Sequence, residues 1–473
     1  MTGEAISPDG SLVFVAGFSG DSYLGSTWDV FTVAYASSDG KEAWRSSYDG
    51  PSGLGDAAYG VTVSRDGSRV YVVGARDMEG GPYAQSGHGD LVVVCYSATM
   101  GEQLWVASYD GPVAGGNDRA LAVAVGAGPQ GERVYVTGVS DGSTPSATSG
   151  DIITLAFQGE TGVHLWTSRY DGSSHGRDEP TGMVASPDGT KVLVTGMSQG
   201  EPGAYDETKF DYITLAYDTG IDGDPDGRLL WTSRYDGSAG EHDVANAIAG
   251  SPDGSTIFVT GESAGQPNQP ACAACDYATL AYDAATGKKL WLSRYQSPLS
   301  SNGLSGSEGR ALQVSPDGKR LYVTGFSVGA ASDYVTIAYD AASGSELWRS
   351  TYPSPLEDDA WSLAVSPDGN TVYVSGQSVV PAGYSIPVIW LWGEAVTVAY
   401  DASSGTQKWM AHQSSEPVPV SSYVVNDYAH PGNRMVVAPD GRSVYVSWSL
   451  AHPVDGLFEE KNASDFETVA YSS

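Results

Sequence analysis

Basic residues are scarce in this chain. Its 473 residues hold 24 Lys and Arg against 57 Asp and Glu, a formal net charge of −33. Nucleic acids and anionic membrane surfaces are held by basic patches, so this balance argues against both and favours solubility and cations. Long hydrophobic runs are missing as well. No stretch approaches the roughly 18 apolar residues of a membrane span, so none is expected. Cysteine is nearly absent, at three residues. Cys95 stands inside a strand-like run where related segments have Ala, and is expected to be a small buried hydrophobe. Cys272 and Cys275 form C-A-A-C, for which a local disulfide is the expectation. A zinc site would need a second pair, and c-type haem attachment would need His where Asp276 stands. Neither a nucleophile elbow, a P-loop nor H-E-x-x-H is found. The opening MTGEAISPDG is not a signal peptide. It enters part-way through a repeat, so an export signal is expected upstream, with the mature protein extracellular or periplasmic.

What the chain has is glycine (60), tyrosine (28) and a period. Trp44, Trp105, Trp166, Trp231, Trp291, Trp348 and Trp409 recur at intervals of about sixty residues. Self-similarity on this scale indicates a repeat architecture. Each copy reads as four short strands, a to d. Strand a ends in S-P-D-G or a variant, as at Ser7–Gly10 and Ser251–Gly254, where Pro presets the turn, Asp bonds the local backbone and Gly takes φ > 0. Strand b follows, as in Leu321–Gly325. Strand c reads D-Y-x-T-x-A-Y with period-two alternation, and a D-A-x-T-G turn leads to strand d, L-W-x-S-R-Y.

Four antiparallel strands per copy, repeated radially, predict an all-β, eight-bladed β-propeller. The chain is read as one domain with repeats at about 1–50, 51–111, 112–172, 173–237, 238–297, 298–353, 354–414 and 415–473. Small residues alternating in strand a, such as Ala245 and Ala247, suit a crowded axis. The tryptophans are expected in outer strands, wedged between blades. Eight a–b–c units face only seven d strands, so the last blade lacks its outer strand in this chain. Residues upstream of Met1, a truly three-stranded blade and a strand donated by a neighbouring molecule are the competing explanations.

The phrase A-Y-D-A-A-T-G-K-K-L-W at Ala281–Trp291 resembles the tryptophan-docking repeat of PQQ-like, quinoprotein-type eight-bladed propellers. The resemblance covers nearly the whole chain. It implies the fold and, as one version of function, a dehydrogenase using PQQ and Ca²⁺. The adjacent-cysteine disulfide of that family's cofactor pocket has no counterpart, because Cys272 and Cys275 are separated, and no haem motif is present.

Strand polarity puts the variable b–c and d–a loops on one face, where function is expected. Two acid series open strands there. Asp56, Asp118, Asp178, Asp243 and Asp358 open strand a, with Ser307 and His430 in two other copies. Asp29, Asp90, Asp151, Asp211, Asp276, Asp333, Glu394 and Asp465 open strand c, as structural turns or partners for the Arg of S-R-Y. Carboxylates of the first series converging on the axis would suit Ca²⁺. So would Asp222, Asp224 and Asp226 in D-G-D-P-D-G, an insertion in the fourth c–d turn on the opposite face, although Ser233 stands where an EF-hand has its last Glu. His175 and His242 fall in equivalent loops and, with Asp178 or Asp243, are candidates for a transition metal or acid–base pair. The repeat breaks most in its last two copies, where Trp361, Trp390, Trp392, Tyr423, Tyr428 and His430, with Asp358, are expected around the channel mouth. Aromatic platforms rimmed by acids suit a glycan, another small flat molecule or a protein partner.

The leading expectation is therefore an exported, non-catalytic ligand- or protein-binding scaffold. The alternatives are a PQQ/Ca-dependent dehydrogenase and a metal-dependent lyase or hydrolase built on His175 and His242.

Overall fold

The computed structural model describes residues 3–20, 28–79, 89–113, 115–128, 131–141, 150–200, 209–220, 227–265, 275–297, 306–328, 332–352, 358–385, 388–414, 418–420, 434–452 and 463–472. Asp222, Asp224, Asp226, Tyr423, Tyr428, His430 and Cys272 lie outside them.

Eight antiparallel sheets follow one another along the chain, each with its strands in sequence order. Blade five is representative: strand a is Asp243–Gly250, b Thr256–Ala264, c Cys275–Asp283 and d Lys289–Tyr295. Every strand a touches strand a of the next blade, and the last touches the first, which closes a ring. Strand c is buried on both faces because its alternating residues meet different neighbours. Ala278, Leu280 and Tyr282 pack with Leu193, Tyr212 and Ala216 of blade four. Tyr277 and Ala281 pack with Leu321, Val323 and Val335 of blade six. Each such side chain contributes on the order of 1.5–3 kcal/mol by leaving water, so the core is a set of inter-blade layers rather than one central mass.

The tryptophans lie in the outer strands and reach into the following blade. The indole nitrogen of Trp44 donates to the Ala98 carbonyl at 2.8 Å, and that of Trp348 to the Ala402 carbonyl at 3.0 Å. These two rings sit beside a tyrosine of the next strand c, Tyr96 at 6.2 Å and Tyr400 at 6.4 Å between centroids. At the opposite edge of the sheet the S-P-D-G turns touch in series. A Cβ built on Gly254, Gly318 or Gly369 would lie 3.2–3.4 Å from the proline ring of the preceding turn. Across the seam, Gly10 stands in the same relation to Pro439.

Two blades depart from the pattern. In blade seven, strands b (Thr371–Ser385) and c (Val388–Asp401) run on as a paired arm, joined at its outer edge by Val418–Val420. The segment that carries Trp390 and Trp392, where the repeat breaks, is thus β-structure, consistent with its β-branched and aromatic composition. Blade eight has three strands, Arg434–Val437, Ser443–His452 and Ala463–Ser472. Cys275 is disulfide-bonded, and Cys95 is a free, buried thiol whose burial pushes its pKa up to about 12. No helix of the described residues is long and apolar enough to cross a membrane.

Candidate functional site

Six of the inner strands carry the same irregularity. Their pairing with strand b skips one residue, leaving Tyr59, Leu121, Thr181, Asn246, Arg310 and Trp361 as the extra residue of a β-bulge. A bulge re-aims a side chain, and all six line one axial cavity of about 380 Å³. Two residues further along each strand a second ring follows: Val61, Val123, Met183, Ile248, Leu312, Leu363 and Met435, with Glu4 as its charged member. The propeller therefore offers one bulge side chain from each of these six blades above a largely apolar collar.

The polar chemistry concentrates on blades five to seven. The Arg310 guanidinium lies 3.5 Å from the Trp361 ring centroid and 4.5 Å from that of Phe326, a stacked cation–π arrangement. It is paired with Glu308 and Asp359, each at 3.3 Å. Asn246 donates to Glu308 at 3.1 Å. Burial raises the Glu308 carboxyl against the pull of Arg310. The Trp361 indole nitrogen is buried and has no hydrogen-bond partner among the described residues. On the other side of the channel, burial lifts Glu4 well above the usual carboxylate range, opposed by Ser447 and Arg434.

The strand-a acids stand elsewhere than expected. Asp56, Asp118, Asp178, Asp243 and Asp358 are all buried at the blade boundaries. Four of them accept the backbone N–H of a glycine in the crossover from the preceding blade: Gly50 at 2.6 Å, and Gly111, Gly172 and Gly237 at 2.7 Å. They hold the crossovers. A Cβ on Gly172 would fall 2.8 Å from an Asp178 oxygen, which explains the recurring Y-D-G. Where that glycine is replaced by Ser297, the acid is replaced by Ser307, which donates to the Tyr295 carbonyl at 3.3 Å.

The two acid series meet within these boundaries. Asp151, Asp171 and Asp178 gather with oxygens within 4.8 Å, as do Asp211, Asp236 and Asp243, and Asp29, Asp49 and Asp56. Asp49, Asp171 and Asp236 are the members that sequence reasoning missed, and the Y-D-G triplet was the available signal. Desolvation pushes Asp56, Asp178 and Asp243 up to about 6, against the N–H bonds that favour their charge. Arginine neutralises two of the triads: Arg169 pairs with Asp151 at 2.7 Å, and Arg234 with Asp211. Blade one has Ser47 at that position.

The two histidines are engaged separately. His175 is exposed, bonded to Asp171 at 2.7 Å, and its pKa is raised by that bond. His242 faces Glu262 at 3.0 Å and meets Phe210 edge-on. Trp390 and Trp392 stand opposite Gly383 and Val380 in the blade-seven arm, and their side chains lie outside the description.

Residues 276–449 match the family profile described as outer membrane protein assembly factor BamB, of the PQQ-like repeat type. The repeats over those residues are PQQ-like. The same Trp and strand-c pattern continues through the earlier blades. No curated protein sequence matches the chain. Solved structures do. Sqt1 from Chaetomium thermophilum is 13% identical, with 94% of this chain and 93% of that one covered and a TM-score of 0.56. A europium-containing methanol dehydrogenase is 11% identical (93% and 81% covered, TM-score 0.50). A quinohemoprotein alcohol dehydrogenase from Comamonas testosteroni is 14% identical (94% and 70% covered, TM-score 0.50). At such identities the likeness is one of fold, which hosts many functions.

Proposed function

We propose that this PQQ-like propeller is an exported, non-catalytic binding module that takes a small polar ligand with a flat face, such as a sugar, at the channel mouth beside blade seven. The observation that carries this reading is Trp361. Its ring is fixed by Arg310, and its buried N–H is left for an acceptor that the described residues do not supply. The charge of Arg310 is already met by Glu308 and Asp359, so the platform suits a neutral ligand better than an anion. The Trp390 arm of the same blade would then form the rim for a glycan or protein partner. The disulfide at Cys275 supports an oxidising, exported setting.

The quinone implied by the fold family fits this mouth poorly. PQQ is a planar tricarboxylate, whereas here one face of the candidate floor, Trp361, carries Arg310, whose charge is spent on two carboxylates. Calcium belongs to the same proposal: it would sit among clustered boundary carboxylates such as Asp29, Asp49 and Asp56 and tie a crossover rather than act on substrate.

The test is calorimetric titration of a neutral sugar panel. Trp361→Phe keeps the ring and loses the donor, and should weaken binding by about 3–10-fold, the worth of one hydrogen bond. Trp361→Ala should abolish it. Binding unchanged in Trp361→Ala would place the site elsewhere.

A further inference from the structure

The a–b turns touch proline to glycine at six blade boundaries. A Cβ on Gly67, Gly254, Gly318, Gly369 or Gly441 would lie 3.2–3.5 Å from the proline ring of the preceding turn, and one on Gly10 would lie 2.9 Å from Pro439. Between blades two and three this contact is broken. Arg65 stands at the proline position of blade two. The point above Gly131 of blade three meets the Gln158 side chain, at 3.4 Å, rather than a proline. Strands a and b of blade three also run to 11 residues each, Asp118–Gly128 and Gly131–Asp141, against 8 and 9 in blade five. A cavity of about 380 Å³ opens at this boundary, on the face of the a–b and c–d turns. Arg65, Arg69 and Tyr71 of blade two line it together with Glu132 and Glu160 of blade three, and Ala127, Gly128 and Gly131 give it one wall nearly free of side chains.

Its charges are not spent on one another. Exchanging proline for Arg65 restores a backbone N–H, which donates to Glu132 at 2.7 Å, and the Tyr71 hydroxyl donates to the other Glu132 oxygen at 3.0 Å. Glu132 is thus held by two neutral donors. Asp66 is turned back on its own turn by Ser64 and Ser68, at 2.7 Å each. Arg69 donates from Nη1 to the Ser68 hydroxyl at 3.0 Å, but its Nε is buried and has no hydrogen-bond partner among the described residues. Neither Arg65 nor Arg69 forms an ion pair there, and Glu160 makes no side-chain bond. Elsewhere Arg169, Arg234, Arg294 and Arg310 each meet a carboxylate.

We propose that this cavity binds a small zwitterion, a free α-amino acid being the simplest, with its carboxylate on Arg69 and Arg65 and its ammonium on Glu160. The site is separate from the channel mouth and does not depend on that reading. The free edge of Arg69 suits a carboxylate, which can accept from Nε and Nη2 together. A simple anion would have to enter a molecule of net charge −33, and a simple cation would leave the arginines unmet. A ligand carrying both charges escapes both penalties. The two donors on Glu132 occupy its oxygens, so the arginines remain available to the ligand. The bare wall of Ala127, Gly128 and Gly131 leaves room for the ligand's own side chain. A volume of about 380 Å³ stands at the small end of ligand pockets, roughly 300–1,000 Å³.

Calorimetric titration of the full chain with a panel of free L-amino acids tests this. At least one is expected to bind with a Kd below about 1 mM. Its N-acetyl derivative lacks the ammonium and its amide lacks the carboxylate; each should bind at least about tenfold more weakly, the worth of one charged hydrogen bond. Arg69→Gln and Glu160→Gln should each weaken the free amino acid to a similar extent. Arg65→Pro restores the turn of the other blades, and should weaken binding while the melting temperature stays that of the parent, which separates loss of the site from loss of the fold. No binding by any member of the panel would overturn the proposal. So would an acetylated derivative or an amide that binds as tightly as the free amino acid, or binding indifferent to Arg69→Gln and Arg65→Pro.

Discussion

The hydroxyl of Tyr445 donates to the main-chain carbonyl of Ser37 at 3.2 Å, joining residues 408 positions apart. No strand in the described structure is shared between the first and last blades, so the seam is held face to face. Val13, Ala438 and Tyr445 pack together with Ile6 and Val436, and Pro439 lies against Gly10. Tyr445→Phe removes the bond and keeps the packing. The expected cost is about 1 kcal/mol, the net worth of one such hydrogen bond, read as a lowered urea midpoint. An equal loss from Tyr322→Phe, whose hydroxyl meets Ala402 at 3.1 Å, would show that the seam is as firm as an internal boundary. A larger loss at the seam would show that it opens first.

The ring of turn glycines gives a sharper comparison. Gly287 and Gly40 have nearly the same backbone, φ +69° and +68°. Alanine at either pays the left-handed penalty of about 1–2 kcal/mol. At Gly287 the new methyl also meets Trp231 at 2.5 Å, and overpacking adds about 1–3 kcal/mol. Gly287→Ala should therefore melt lower than Gly40→Ala by several degrees in calorimetry. Equal melting temperatures would mean that the indole gives way freely, and its role as a clamp between blades would fall.

Much of this was legible beforehand because repetition did the work of an alignment. Eight copies of strand c, against seven of the tryptophan, were enough to write down the blades and the three-stranded last one. The acids were harder. Asp178 opens strand a in a pattern that looks like a converging ring, yet it turns to the Gly172 N–H at the blade boundary, because a crossover with an unpaired donor would cost more than a carboxylate at the axis could return. The bulges were not legible at all. A bulge is a property of pairing between two strands, so Arg310 and Trp361 share no sequence signature with Leu121 or Thr181, although all line the same cavity. The sequence reading reached Trp361 through its aromaticity and missed its partner.

The boundary acids make stability depend on pH with an unusual sign. Asp56, Asp178 and Asp243 have folded-state pKa values pushed up to about 6 by burial, above the roughly 3.9 of an unfolded chain. The folded state then holds the proton more tightly. Their contribution is fully present below about pH 4 and is lost as pH rises through about 6, where buried carboxylates must ionise. The protein should accordingly melt higher at pH 5 than at pH 7.5. Relief of the net charge of −33 acts in the same direction, so the parent's pH dependence cannot isolate the acids. Asp178→Asn does. The amide can still accept from Gly172 but does not titrate, so the gain in melting temperature between pH 7.5 and pH 5 should shrink, with the variant at least as stable as the parent at pH 7.5. A variant that loses stability at pH 7.5 and keeps the full pH slope would show that Asp178 is a charged anchor of the crossover, held ionised by Ser198 and the Gly172 N–H despite its burial.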